Sequence, residues 1–332
     1  MVKSRDLTID SLRGFACLLV VVYHVIGNVP SNGLRIEDGL IRDFNNTINY
    51  IHMPLFTLLS GIVYDFRPFS GGFGAFVKDK FLRLLVPMFI VGTFFAVVQF
   101  LMPGTSSGEY NWQLLHILPV GHFWYLESIF TVFIIVAIVE FLGLLKKVGL
   151  FSIVFCLSIL ASVLSFGSKY FAIDSAFYLL PFFLIGIAIH RFELLKNVNS
   201  IIGLVFIVTA CVGYYFFEIE GRNSLSGLAF SIVISIGFLA LRIENKILAK
   251  VGFYSYTIYL FHVFFTSAAR MVGNKLGIDD LTISILCGMF AGVCGPILVE
   301  LICDGTNLTR KLCLGKRKTT IDRLWLSSRF AR

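Results

Sequence analysis

Ten predominantly apolar stretches, separated by short polar connections, run the length of the chain: 9–29, 46–65, 82–102, 122–142, 150–167, 173–190, 200–218, 225–242, 252–270 and 281–303. Each is close to the ~20 residues a helix needs to cross a bilayer. Strands of a closed barrel would leave shorter, alternating segments instead. The expected architecture is therefore an all-α membrane protein, a bundle of about ten transmembrane helices. Residues 1–303 form the membrane domain, and the basic, polar residues 304–332 form a tail. The apolar stretch that begins at Ile9 runs past Val29 without a small-residue cleavage site, so it is expected to be retained as a first span rather than removed as a signal peptide.

The charges orient this bundle. Lys and Arg cluster in alternate connections. With the N-terminus in the cytoplasm, 21 of the 28 fall on the cytoplasmic side and six outside (residues 35, 42, 169, 222, 270 and 275), leaving Arg13 within the first span. Both termini are expected to be cytoplasmic, since losing one span would place the basic tail outside. The same distribution accounts for the net charge of +8 without nucleic-acid binding. A charged share of 14% against 57% apolar residues excludes an ordinary soluble domain. The seven cysteines are scattered, with no CxxC or Cys/His spacing for a metal.

Polar residues inside apolar stretches carry the candidate chemistry, because ionisable groups are costly there and usually retained for function. Arg13 and His24 lie eleven positions apart in the first span. On an α-helix they come within about 20° of one another in azimuth and about 16 Å apart in depth, which suits a long anionic ligand held at its head by Arg13 and reacting near His24. Asp10 can pair with Arg13 as a structural ion pair. His24 can equally serve as hydrogen-bonding glue between helices. Cys17 shares the face and admits either a covalent acyl relay or a small core residue.

Other spans add polar positions. His52 opens the second near the level of His24, and Ser60-Gly61 permits close helix approach. Lys80 and Arg83 share a face before the third span and suit phosphates, or simply anchor the boundary. The fourth starts His122-Phe-Trp124-Tyr125-Leu-Glu127. Its aromatic pair fits an interfacial belt, and its carboxylate points to a polar, outward-open cavity. Tyr256, Tyr259 and His262 are spaced three apart in the ninth span, where they pack the bundle or line a pocket. Glu300 lies near the inner boundary, within reach of a basic residue. No phosphate loop, dinucleotide fingerprint or HExxH occurs.

Taken in order, these blocks resemble the acyltransferase 3 family of integral-membrane O-acyltransferases. The opening Asp10-Ser-Leu-Arg13-Gly14 through Tyr23-His24 is similar to the family's first span. So are Pro54-Leu-Phe through Ser60-Gly61, Lys80-Phe-Leu-Arg83-Leu-Leu-Val-Pro87, His122-Phe-Trp-Tyr-Leu126, and Ser255-Tyr256-Thr-Ile-Tyr259-Leu-Phe-His262. Leu55 and Ile62 depart from the family's phenylalanines, and Glu300 lacks the proline that often follows the corresponding glutamate.

The resemblance implies a donor acyl-CoA, usually acetyl-CoA, as a substrate rather than a bound cofactor, and no metal. It implies an acceptor hydroxyl on a cell-surface or exported glycan, and a bacterial cytoplasmic (inner) membrane location. Arg13 and His24 match the family's functional pair. Arg13, Lys80 and Arg83 would hold the polyanionic CoA, and His24 would act as base or acyl carrier. His52, His122 and Glu127 would line the acceptor side, with Trp124, Tyr125, Tyr256, Tyr259 and His262 as further substrate-binding positions. Residues 304–332 leave no room for the soluble SGNH hydrolase-like domain that some family members append, so acceptor transfer is expected to fall to the membrane domain alone or to a partner protein; the partners expected are a homo-oligomer or a glycan-assembly protein. A secondary transporter or flippase for a glycan or lipid-linked sugar is the competing reading, although no inverted repeat is visible. A third is a non-catalytic assembly partner, which would tolerate loss of Arg13 or His24.

Overall fold

A computed structural model describes residues 6–102, 110–217 and 219–316. Among these residues the chain is helical throughout, with no β-strand beyond one isolated bridge between Leu115 and Leu118. The helices are α1 (Leu7–Ile26), α2 (Leu40–Asn49), α3 (His52–Asp65), α4 (Phe73–Lys80), α5 (Val86–Leu101), α6 (Trp124–Phe141), α7 (Val148–Leu164), α8 (Ile173–Arg191), α9 (Ser200–Phe216), α10 (Leu225–Ala240), α11 (Lys246–Phe253), α12 (Ser255–Lys275), α13 (Leu281–Cys303) and α14 (Asn307–Leu314).

Each of the ten apolar stretches carries a helix. Five helical segments are long and apolar enough to cross a membrane by themselves: Leu7–Ile26, Phe73–Leu101, Gly121–Phe141, Tyr170–Arg191 and Leu281–Cys303. The pair α11 and α12 makes a sixth if taken as one span bent by 79°. α7, α9 and α10 are apolar but shorter, and α3 has only 14 residues. The second stretch is not one continuous helix, because Tyr50 and Ile51 interrupt it between α2 and α3.

α1 runs through the centre. Asp6 caps it by accepting from the backbone N–H groups of Thr8 and Ile9, and Gly27, at φ 103°, ends it. It packs against α3, α11, α12 and α13. Its approach to α11 is backbone on backbone: a Cβ at Gly14 would lie 1.9 Å from the Leu248 carbonyl oxygen, and one at Gly252 would lie 2.0 Å from that of Asp10. Gly61 and Gly186 do the same for α3 and α8, the close approach that Ser60-Gly61 foreshadowed. In both places only the absence of a side chain lets the backbones meet.

Between α4 and α5 the helix widens into a π-turn, Phe81–Leu85. Such single turns often occur at functional sites. This one carries Arg83 and follows Lys80. The Tyr256 hydroxyl donates to the Arg83 carbonyl oxygen at 2.8 Å. Near the same carbonyl lies Gly315, just after α14. Lys316 is ion-paired with Glu300, which also accepts from the Thr257 hydroxyl, so Glu300 has the basic partner expected for it.

Candidate functional site

Arg13 and His24 line different cavities along α1. The first, about 340 Å³, is walled by Arg13, Ser60, Lys80, Arg83, Tyr125 and Tyr256, with Tyr259 among its other residues. The second, about 740 Å³, is walled by His24, His52, His122 and Trp124, together with residues of α5 and α12. The helical spacing that puts Arg13 and His24 on one face of α1 also puts them at different depths, and therefore in successive chambers.

At the first cavity, Lys80 lies over the rings of Phe133 (3.7 Å) and Phe76 (5.3 Å). Such contacts stabilise a cation that is partly withdrawn from water. Arg83 is exposed and pairs with Asp79 at 3.1 Å. Arg67 and Tyr64 line the same cavity. Three guanidinium groups and one ammonium thus surround a space whose floor is aromatic, an arrangement able to take a polyphosphate with an apolar arm behind it.

At the second cavity three imidazoles meet. The His24 ring centroid is 4.9 Å from that of His262 and 5.8 Å from that of His122, and the His122 and His262 rings are 4.9 Å apart. His262 is fully buried. Its Nδ1 donates to the carbonyl oxygens of Ile258 and Tyr259, both at 2.9 Å. Its Nε2 has no hydrogen-bond partner among the described residues, and neither does Nε2 of His122. His52 donates from Nδ1 to the Ile48 carbonyl at 2.6 Å and stacks at 4.8 Å on Tyr23. His24 lines the cavity, and neither of its ring nitrogens has a hydrogen-bond partner among the described residues. No group of three or more His, Cys, Asp or Glu side chains has metal-holding geometry among those residues.

The two chambers adjoin at Tyr259. Its ring lines the first cavity, and its hydroxyl donates to the main-chain oxygen of His122, which lines the second. The Tyr125 and Tyr259 rings are 5.5 Å apart.

Several expected positions lie elsewhere than anticipated. Glu127 is fully buried, lines neither cavity, and leaves both carboxylate oxygens without a hydrogen-bond partner among the described residues. It does not mark an open polar cavity, because the first turn of α6 turns it into the bundle. Tyr125, Tyr256 and Tyr259, expected as substrate-binding positions without assignment to either chamber, line the Arg13 chamber. His262 lies behind His24 and His122 as a fully buried neighbour and does not line the larger cavity. Cys17 is buried in the core with its thiol towards the Ser255 carbonyl and lines neither cavity, which favours the small-core-residue reading.

Tyr23, Arg222 and Arg270 also line the His24 cavity. Tyr23 was signalled only by adjacency to His24. The two arginines read as ordinary connection charges.

A basic chamber with aromatic walls thus adjoins a histidine chamber inside the apolar helices of a multi-pass membrane protein. A family model described as an acyltransferase domain matches residues 6–301, and the chain belongs to this acyltransferase 3 family. It is similar to the nodulation protein NolL of Sinorhizobium fredii (strain NBRC 101917 / NGR234), 25% identical over 151 residues, covering 44% of this chain and 39% of that protein. It is also similar to the nodulation protein NolL of Mesorhizobium japonicum (strain LMG 29417 / CECT 9101 / MAFF 303099), 24% identical over 140 residues, covering 41% and 36%. The aligned part therefore spans less than half the length of these curated relatives. No solved structure matches the chain.

Proposed function

We propose that this membrane acyltransferase moves an acetyl group from acetyl-CoA to a hydroxyl of a cell-surface or exported glycan, in the bacterial cytoplasmic membrane. The observation that carries the reading is His24, which lines the larger cavity, one chamber beyond a cavity lined by Arg13, Lys80 and Arg83. The basic chamber takes the CoA phosphates and lies at the cytoplasmic end. The pantetheine arm runs along the aromatic floor towards Tyr259 and brings the thioester to the His24 side.

As a base, His24 accepts the proton of the acceptor hydroxyl. The oxygen adds to the thioester carbonyl, the C–S bond breaks, and the imidazolium returns the proton to the departing CoA sulfur. In the covalent alternative the imidazole nitrogen takes the acetyl group first and passes it to the hydroxyl. Both routes give one ester and one free CoA thiol. His52, His122 and Trp124 border the acceptor. The ten-helix bundle with both termini cytoplasmic belongs to the same reading.

The test is mass spectrometry of the surface glycan from cells with and without the protein. One acetyl increment that depends on the protein supports the reading. An unmodified glycan retained inside the cell in its absence would favour a transporter instead.

A further inference from the structure

The larger cavity is positively charged, and among the described residues nothing within it balances that charge. Arg222 and Arg270 both line it, and none of its described lining residues is acidic. Arg222 follows α9 in the short connection to α10. Its guanidinium carbon lies 5.3 Å from the Trp124 ring centroid and 5.1 Å from that of Tyr178. It makes no hydrogen bond or ion pair among the described residues. Arg270, on α12, donates from one terminal nitrogen to the Gly33 carbonyl at 2.6 Å, which fixes the side chain and leaves other N–H groups available.

A guanidinium half withdrawn from water with no anion beside it is costly. Aromatic faces offset part of that cost. Placing such a group over a tryptophan, at a cavity wall, favours its planar fork for a carboxylate or phosphate. The rest of the wall carries neutral hydrogen-bonding groups, among them Asn28, Asn49 and Ser267. That combination, amide and hydroxyl donors around a fixed cation, suits a saccharide bearing a negative charge better than a neutral one.

We propose that Arg222, assisted by Arg270, recognises an anionic group on the acceptor, and that the acceptor is an acidic saccharide, carrying a uronic-type carboxylate or a phosphate ester near the hydroxyl presented to His24. This rests on reading the larger cavity as the acceptor side. A neutral hexose would leave the Arg222 guanidinium without an anion among the described residues. An acidic residue docked on it would fix which sugar of a repeat unit lies next to His24, so Arg222 would set specificity without touching the reacting atoms.

The experiment measures saccharide binding by the full chain in zwitterionic lipid nanodiscs, without requiring turnover. The probes are a tetragalacturonate and its carboxyl-reduced, neutral counterpart. The expected result is about 10- to 100-fold tighter binding of the acidic probe, the range for a hydrogen bond to a charged group. That preference should shrink with added salt, disappear in Arg222→Gln and persist only in reduced form in Arg222→Lys, which keeps the charge but not the planar fork, with thermal melting showing that both variants are folded. Equal affinity for the two probes, binding of neither, or a preference that survives in Arg222→Gln overturns the proposal. Two further arms identify a different source of the anion. If phosphatidylglycerol added to the discs abolishes the preference, the site holds a lipid headgroup. If Arg222→Gln weakens acetyl-CoA binding as much as tetragalacturonate binding, the site belongs to the donor. Either result also overturns it. Acidic-probe binding that depends on Arg222 without any acetyl transfer would leave this site standing while removing the acetyltransferase reading. Transfer to neutral saccharides with no role for Arg222 would do the reverse.

Discussion

The Tyr259 hydroxyl donates to the main-chain oxygen of His122, and that one contact joins the wall of the Arg13 chamber to the wall of the His24 chamber. A thioester travelling from one chamber to the other has to pass this partition. Tyr259→Phe keeps the ring and removes the bond. The expected outcome is a folded protein destabilised by about 0.5–1.5 kcal/mol, the usual worth of a neutral hydrogen bond, read as a lower melting temperature. Acetyl-CoA affinity should change little while transfer slows. A variant with unchanged stability and transfer would remove the partition's role.

His24→Ala should leave folding and CoA binding largely intact, because the ring makes no hydrogen bond that its loss would orphan. Acetyl transfer should fall by about 10²- to 10⁴-fold, the usual contribution of general acid–base assistance. A two- or threefold loss would point to packing against His262 and His122 instead.

Arg13→Ala should weaken CoA binding, and salt should weaken wild-type binding in the same direction, since the chamber's contacts are ionic and open to solvent through the exposed Arg83. Equilibrium binding of CoA to the purified variant decides this. Affinity equal to wild type would take Arg13 out of the donor site.

Gly14→Ala should be far more damaging than an alanine substitution within a helix normally is. The added methyl would meet the Leu248 carbonyl at 1.9 Å, and main chain cannot yield as a side chain can. Overpacking typically costs about 1–3 kcal/mol, and contact with backbone puts this site at the upper end. Yield and melting temperature of the variant, beside Gly149→Ala, where a Cβ meets nothing within 4 Å, provide the comparison. Equal stability of the two would contradict the close packing of α1 on α11.

What was legible in the sequence was largely what one helix decides alone. Apolar stretches near spanning length announced the helices, and an eleven-residue spacing announced that Arg13 and His24 share a face of α1. What was not legible depended on neighbouring helices. Glu127 looked like the lip of a cavity because depth along α6 can be counted, whereas its azimuth against the rest of the bundle cannot. Tyr125 and Trp124 are adjacent in sequence and enter different chambers, since successive residues of a helix point about 100° apart. The interruption at Tyr50 and Ile51 left no apolar gap, so one stretch concealed two helices. Arg222 lies in a short connection, where a cation anchoring the interface and a cation awaiting a ligand have the same sequence signature.

The clasp formed by Lys316 on Glu300 and by Gly315 near the Arg83 carbonyl means that the functional unit outruns the family boundary. Cutting the chain after residue 301 would preserve nearly every residue of the acyltransferase domain, including Arg13, Lys80, Arg83 and His24. It would also strip the outer support from the π-turn and strand Glu300 without its cation. Such a fragment would keep its signature residues and lose the ion pair and the backbone contact that residues 315 and 316 supply to them.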